Sequence, residues 1–249
     1  MIILKSPDEI EKMCRSCRAV AETLRDLEEI VRPGISTRDI ERFVERSIAA
    51  KGGVPAFKGY RNYPASVCTS VNEQVVHGIP SDATLRDGDI ISVDLGVYMD
   101  GFYGDAAVTL PVGRVSPVAE RLIRVTKEAL MLGIEKVKPG YRVSDISHVI
   151  QRHVEANGFS VVRSFVGHGI GRSLHEDPQI PNFGDPGRGP RLREGMTLAI
   201  EPMVNEGRYE VSILDDGWTA VTTDGSLSAH WEHTVAVTKN GARILTKTE

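Results

Sequence analysis

Leu85-Arg-Asp-Gly-Asp-Ile-Ile-Ser-Val-Asp94 returns, somewhat changed, as Leu192-Arg-Glu-Gly-Met-Thr-Leu-Ala-Ile-Glu201, 107 residues further on. A second pair agrees with it. Val31-Arg-Pro-Gly-Ile-Ser-Thr-Arg-Asp-Ile40 and Val137-Lys-Pro-Gly-Tyr-Arg-Val-Ser-Asp-Ile146 lie 106 residues apart. Chance likeness between helix stops is the alternative, because Pro-Gly and Asp-Gly mark such places in most chains. Two matches at nearly one offset favour duplication, and the period is too long for a solenoid. The pattern fits two halves, about 1–115 and 116–249, each of two helices followed by strands. Facing each other across a pseudo-twofold axis, the halves would form one domain over 1–249, of α+β class, with a central curved antiparallel sheet. Asp94 and Glu201 then become symmetry mates that point into a shared cleft.

Local signals fill out each half. Ser6-Pro7-Asp8-Glu9 reads as an N-cap, a proline at the first helical position and an acidic residue at the third. The helix it opens should run to about Val31, where Arg32-Pro33-Gly34 stops it. Ser36-Thr37-Arg38-Asp39 caps a second helix that ends before Gly52-Gly53. Short strand-like runs reach about Val112. The plan then repeats: Ser116-Pro117 caps a helix, Lys138-Pro139-Gly140 ends it, and another covers roughly Ser144 to Ala156 before Asn157-Gly158. Strands with Asp216-Gly217, Asp224-Gly225 and Asn240-Gly241 turns fill the rest.

The bulk numbers narrow the class. The chain has 249 residues, 41% hydrophobic and 26% charged, enough for a substantial core. A net charge of −4 and a pI of about 6.0 give no overall basic character for nucleic acid or an anionic membrane. No apolar run is long enough to span a bilayer, and no secretory signal peptide is expected, since Met1 to Glu9 goes straight into a capped helix. Three cysteines cannot all pair within one chain, which points to a reducing cytoplasm. Cys14-Arg-Ser-Cys17 lacks a second ligand pair nearby and sits within an amphipathic helix, so ordinary helix residues are expected there.

Chemistry concentrates around Phe165-Val-Gly-His-Gly-Ile-Gly-Arg-Ser-Leu-His175. Glycines on both sides of His168 let it sit where a bulkier neighbour would clash. Acidic residues at the ends of apolar strands must be solvated, paired or bound to a cation, because a bare buried carboxylate is too costly. Asp94, Glu201 and Glu232 stand at such places. Asp100-Gly101 is a natural two-residue hairpin turn. It pairs Met99 with Phe102 and Gly96 with Asp105, and so puts Asp105 on the same face as Asp94, within about 7–8 Å backbone to backbone. Turn aspartates exposed to solvent, and a strand glutamate on an outer face, are the bland alternatives. As an ensemble, Asp94, Asp105, Glu201, Glu232 and His168 suit two hard or borderline divalent ions. Two such ions can activate a water and polarise a carbonyl together.

With these residues, the chain resembles the type I methionine aminopeptidases of the pita-bread fold over nearly its whole length. The segment from Phe165 through His175 to Ile180-Pro-Asn182 is similar to that family's signature, with Phe183 a mild departure. The resemblance implies that Asp105, His168, Glu201 and Glu232 bind one metal, and Asp94, Asp105 and Glu232 the other. It implies Glu201 as proton relay, His175 as hydrogen-bond donor to the scissile carbonyl, and His77 as partner of the adjacent peptide nitrogen. Read without the family, His77 and His175 would be local turn residues. The implied methionine pocket is Tyr60, Tyr63, Cys68, Met203 and Trp218, where aromatics and sulfur suit a flexible thioether. Phe57 and Leu174 replace a cysteine and an aromatic often found there. Asn72 and Ser228 match positions that in relatives help hold a monovalent cation.

The implied activity is removal of the initiator methionine from nascent proteins, with a small second residue preferred. The chain would be a cytoplasmic monomer that meets the ribosome transiently and binds neither nucleic acid nor membrane. Cobalt, manganese, iron and zinc all fit the donor set. A proline-directed peptidase of the same fold is the rival, though such enzymes usually carry a large extra N-terminal domain. A non-catalytic binding module of this fold would have lost metal ligands.

Overall fold

The computed structural model describes residues 1–248. Its helices are α1 (Pro7–Glu28), α2 (Thr37–Ala50), α3 (Pro117–Glu135) and α4 (Val143–Ala156). Ser6 and Ser36 form capping boxes with Glu9 and Asp39, so orphan amides at both helix starts are satisfied reciprocally. The first helix stops at Glu28, short of Val31. The Leu27 carbonyl accepts from both Ile30 and Val31, closing a turn ahead of Pro33.

The first half contributes β1 (Val54–Pro55), β2 (Cys68–Val71), β3 (Gln74–Val76), β4 (Ile90–Met99) and β5 (Phe102–Pro111). After α4 come β6 (Ser160–Val161), β7 (Gly167–Gly169), β8 (Glu176–Ile180), β9 (Thr197–Ile200) and β10 (Met203–Asn205). The chain closes with β11 (Val211–Ile213), β12 (Ala220–Thr222), β13 (Ser228–His230), β14 (His233–Thr238) and β15 (Gly241–Ile244). One sheet runs β1-β4-β2 with β5 on β4, and another runs β15-β14-β9-β7-β8. Two small sheets, β13-β10-β6 and β11-β12-β3, flank them.

The repeat is written in hydrogen bonds. Gly34 N donates to Leu85 O (2.8 Å) and Leu85 N to Ile35 O (2.8 Å). Gly140 N donates to Leu192 O (3.3 Å) and Leu192 N to Tyr141 O (2.7 Å), the same pair one repeat later. Isolated bridges Ser36–Thr84 and Arg142–Arg191 continue the correspondence. The halves are stitched where the two large sheets meet: Glu232 N donates to Ala107 O (2.9 Å), and the Thr234 hydroxyl donates to Asp105 O (2.7 Å).

Apolar faces of the helices cover these sheets. Leu24, Leu27, Ile40, Leu122, Ile146 and Ile150 are buried in one continuous core, each contributing about 1.5–3 kcal/mol by leaving water. Cys14 and Cys17 are free thiols on α1, and Cys17 packs beside Met13 and Phe102 in a second cluster. Among the described residues no helix is long and apolar enough to cross a membrane.

Candidate active site

The β4–β5 hairpin adopts the register its turn dictates. Asp100 and Gly101 take positive φ (51° and 87°), Met99 faces Phe102, Gly96 faces Asp105, and Asp94 faces Ala107. Asp94 and Asp105 therefore share a face. On the other sheet His233 pairs with Ile200, so Glu232 and Glu201 leave their strands side by side, and His168 pairs with Ala199. A Cβ on Gly167 would lie 2.5 Å from Ala199 O, and one on Gly169 would lie 2.1 Å from Asp177 O. Only glycine permits the strand carrying His168 to fit between its neighbours.

These elements converge on one cavity of about 130 Å³, lined by Asp94, Asp105, His168, Glu201 and Glu232. Ligand atoms of Asp105, His168 and Glu232 lie within 4.8 Å of one another, and His168 Nε2 is 3.6 Å from Glu201 Oε1. His168 Nδ1 donates to Gly169 O (2.8 Å), which leaves the Nε2 lone pair free for a cation. Asp94 is half-buried, but its Oδ1 is sealed from solvent and has no hydrogen-bond partner; Asp105 Oδ1 and Glu232 Oε1 are likewise orphaned. Burial pushes the Asp94 carboxyl up to about 7. Burial also raises Asp105, Glu201 and Glu232, and the neighbouring carboxylates add to the rise. Buried acceptors without donors, crowded so that each resists ionisation, fit divalent cations as the missing partners.

The cavity's other wall is aromatic. Tyr60, Tyr63, Trp218, Phe57, Cys68 and Leu174 line it. Tyr63 is fixed by donating to Gly78 O (3.0 Å) and meets Trp218 edge-on at 5.1 Å. His175 stacks on Tyr60 with ring centres 5.2 Å apart and lies 4.1 Å from His168. Although His175 as a residue is exposed, partial desolvation in the cavity mouth, reinforced by His168, Arg61 and His77, holds it down to about 3, so it is a neutral imidazole at ordinary pH. His77, at φ 63°, stands edge-on to Phe165 and Trp218, and burial lowers it as well.

Met203 does not line the cavity. It is fully buried behind it with Val75, Val76, Val162 and Ala220, on a strand whose three residues are all buried. Asn72 and Ser228 do meet: Ser228 N donates to Asn72 O (2.9 Å), while the Asn72 side chain bonds Asp89 and Ile90 N. His230 is the site residue that the sequence reading passes over. It is buried, held down to about 3 by burial, and its Nε2 has no hydrogen-bond partner and lies 3.7 Å from Glu201 Oε2. His230 ends β13 and Glu232 lies in the break before β14, so strand alternation gives no signal, and nearness to Glu232 in the sequence is the available cue. A larger cavity of about 640 Å³ between α1 and β15 holds none of these residues.

A carboxylate–imidazole cage opening into an apolar pocket is the architecture of a metal-dependent hydrolase. Residues 11–239 match the sequence profile of metallopeptidase family M24. A methionine aminopeptidase of Clostridium perfringens is 58% identical over 246 residues, 99% of either chain. The solved methionine aminopeptidase of Thermotoga maritima superposes with a TM-score of 0.98 at 53% identity, covering 100% of both chains. The prolidase of Pyrococcus furiosus is more distant, with a TM-score of 0.79 at 25% identity, and this chain covers 66% of it. The chain belongs to metallopeptidase family M24, and it is a peptide-bond hydrolase with the pita-bread fold.

Proposed function

We propose that this protein removes methionine from the N-termini of peptides and newly made proteins, preferring a small second residue. The observation that carries the reading is the buried cage of Asp94, Asp105, His168, Glu201 and Glu232, which opens on an aromatic and sulfur-lined pocket the size of one side chain. Its likeness to methionine aminopeptidases along the full chain supports the same substrate.

In this reading Asp105, His168, Glu201 and Glu232 hold one divalent cation and Asp94, Asp105 and Glu232 a second, within a single duplicated domain. The pair supplies Lewis acidity and an activated water. Glu201 accepts a proton and returns it to the leaving amine. His175, kept neutral by partial desolvation and the nearby His168 and Arg61, donates its N–H to the scissile carbonyl oxygen as negative charge develops there. His77 faces the adjacent peptide nitrogen. Tyr60, Tyr63, Cys68 and Trp218 enclose the methionine side chain, with Phe57 and Leu174 narrowing the pocket. Cobalt, manganese, iron and zinc each suit this donor set, and availability selects among them. The working place is the cytoplasm, as a monomer meeting nascent chains at the ribosome.

The test is protein stripped with chelator, reconstituted with each metal, and given two peptides beginning Met-Ala and Ala-Pro. Metal-dependent cleavage of the first alone is expected. Cleavage of the second alone moves the protein to the proline-directed branch and removes the pocket assignment. Cleavage of neither overturns the catalytic reading.

A further inference from the structure

His175 makes no side-chain hydrogen bond among the described residues; its ring meets those of Tyr60 and His168. Its backbone therefore has much to do with its position. That backbone belongs to the loop from Ile170 to His175, which leaves β7 and enters β8 at Glu176. Glu176 follows His175 directly, and its side chain turns inward to 5% exposure. Glu176 Oε1 accepts from Arg172 N (2.8 Å) and Ser173 N (3.2 Å), two amides of the same loop. Its other oxygen, Oε2, pairs with the Lys5 ammonium, whose side chain is 2% exposed.

Lys5 is itself fixed. Its backbone N donates to Gly195 O (2.7 Å), and its Nζ also donates to Ile3 O (3.2 Å). The loop lies directly against it: a Cβ on Gly171 would come within 2.2 Å of Lys5 Cε and 2.8 Å of Glu176 Oε1. Gly171 O in turn accepts from Tyr103 N (2.8 Å) on β5. The loop is thus wrapped around one buried ion pair whose cation comes from 171 residues earlier in the chain.

We propose that the buried Lys5–Glu176 pair is the positioning device for His175: the carboxylate gathers the loop amides, and the ammonium holds that carboxylate in place. A buried pair is weak evidence for stability in itself, but removing one partner leaves an uncompensated charge that must move or be neutralised. Either response releases the loop amides and lets His175 drift, and a displacement of about 1 Å at a catalytic group can lower a rate about 100-fold. The effect on turnover rests on the proposed role of His175; the effect on ring position does not.

The experiment compares Lys5→Met, Lys5→Met/Glu176→Gln and His175→Ala as metal-reconstituted full chains, on a Met-Ala peptide and by NMR of the histidine rings. Lys5→Met should lower kcat about 10–100-fold with KM nearly unchanged, because the methionine pocket is untouched. It should also shift the His175 ring resonance, identified by its loss in His175→Ala. The double variant has no charge to compensate, and its amide oxygen still accepts from both loop amides. It should recover most of the turnover and the original resonance. In a His175→Ala background Lys5→Met should cause no further loss of kcat. Unchanged turnover and resonance in Lys5→Met, or fully additive losses with His175→Ala, would overturn the proposal. If His175→Ala retains full turnover, the role given to His175 falls, and the ring resonance alone still decides whether the pair positions it. Should Lys5→Met not fold, Lys5→Met/Glu176→Gln against Lys5→Met/Glu176→Met gives the same decision without a buried charge. Only the first should keep the ring in place, and equal behaviour of the two would refute the idea.

Discussion

Replacing Asp94 by asparagine should stabilise the metal-free protein, and by more at high pH than at low. Burial raises the Asp94 carboxyl from 3.8 to about 7 in the folded chain. A carboxyl whose folded pKa is raised contributes stability below its unfolded pKa and loses it as pH rises through the folded one. At about pH 5 the unfolded chain already favours ionisation while the folded chain resists it, a difference of about 2 kcal/mol. By about pH 8 the whole gap is felt, about 4 kcal/mol, an upper figure because part of Asp94 opens onto the cavity. Asparagine removes this loss. Its amide, if left unpartnered, costs about 1–3 kcal/mol, but equally at both pH values. The difference between the two pH values is therefore the diagnostic, about 2–3 kcal/mol in favour of the variant. Asp94 also raises Asp105, Glu201 and Glu232, so relief there has the same sign. The buried histidines titrate in both proteins, so their contribution largely cancels. The assay is urea unfolding in chelator, followed by tryptophan fluorescence, with equal m-values required. In saturating divalent metal the order should reverse, since the variant has lost a ligand. An equal gain at both pH values without metal would mean that Asp94 is ionised throughout, and the burial argument would be refuted.

Three further outcomes follow from the geometry. His175→Ala should lower turnover about 100- to 1,000-fold while elemental analysis finds the metal content unchanged; metal loss would put His175 among the ligands. Glu232→Ala should nearly abolish turnover and release metal on dialysis, and full activity in the wild type at less than one ion per chain would discard the paired-metal arrangement. Gly169→Ala, whose Cβ would sit 2.1 Å from Asp177 O, should force the strand apart and lower Tm by about 5–10 °C. An unchanged melting curve there would mean that the strand has room that the coordinates deny.

What could be read from the sequence was what short-range geometry decides. The Asp100-Gly101 turn fixes the hairpin register, and the register puts Asp94 and Asp105 on one face before any tertiary contact is considered. The serine caps fix the helix starts for the same reason. The end of α1 was misjudged because a carbonyl accepting two amides closed the turn three residues before the expected stop, and no residue type announces that choice. Met203 stands outside the cavity lining for a different cause. All three residues of its strand are buried, so alternation along the chain says nothing about which side faces the cavity.

Lys5 and His230 mark where reading along the chain ends. A lone lysine after Ile-Ile-Leu looks like a solubilising charge, and a histidine between Ala229 and Trp231 looks like a strand residue. Each acquires meaning only from a carboxylate brought to it by the fold, Glu176 for the first and Glu201 for the second. The β4–β5 hairpin and the strand ends beside Ile200 and His233 crowd four carboxylates into one cavity, which makes the cavity's interior strongly acidic. Neutral imidazoles can line such a place without being drawn into ion pairs only if desolvation keeps them from protonating; burial does so for His168 and His230, and desolvation with the neighbouring His168 and Arg61 for His175. The amides of the loop that carries His175 bond to no cavity carboxylate among the described residues. They bond instead to Glu176, which takes its countercharge from the far end of the chain.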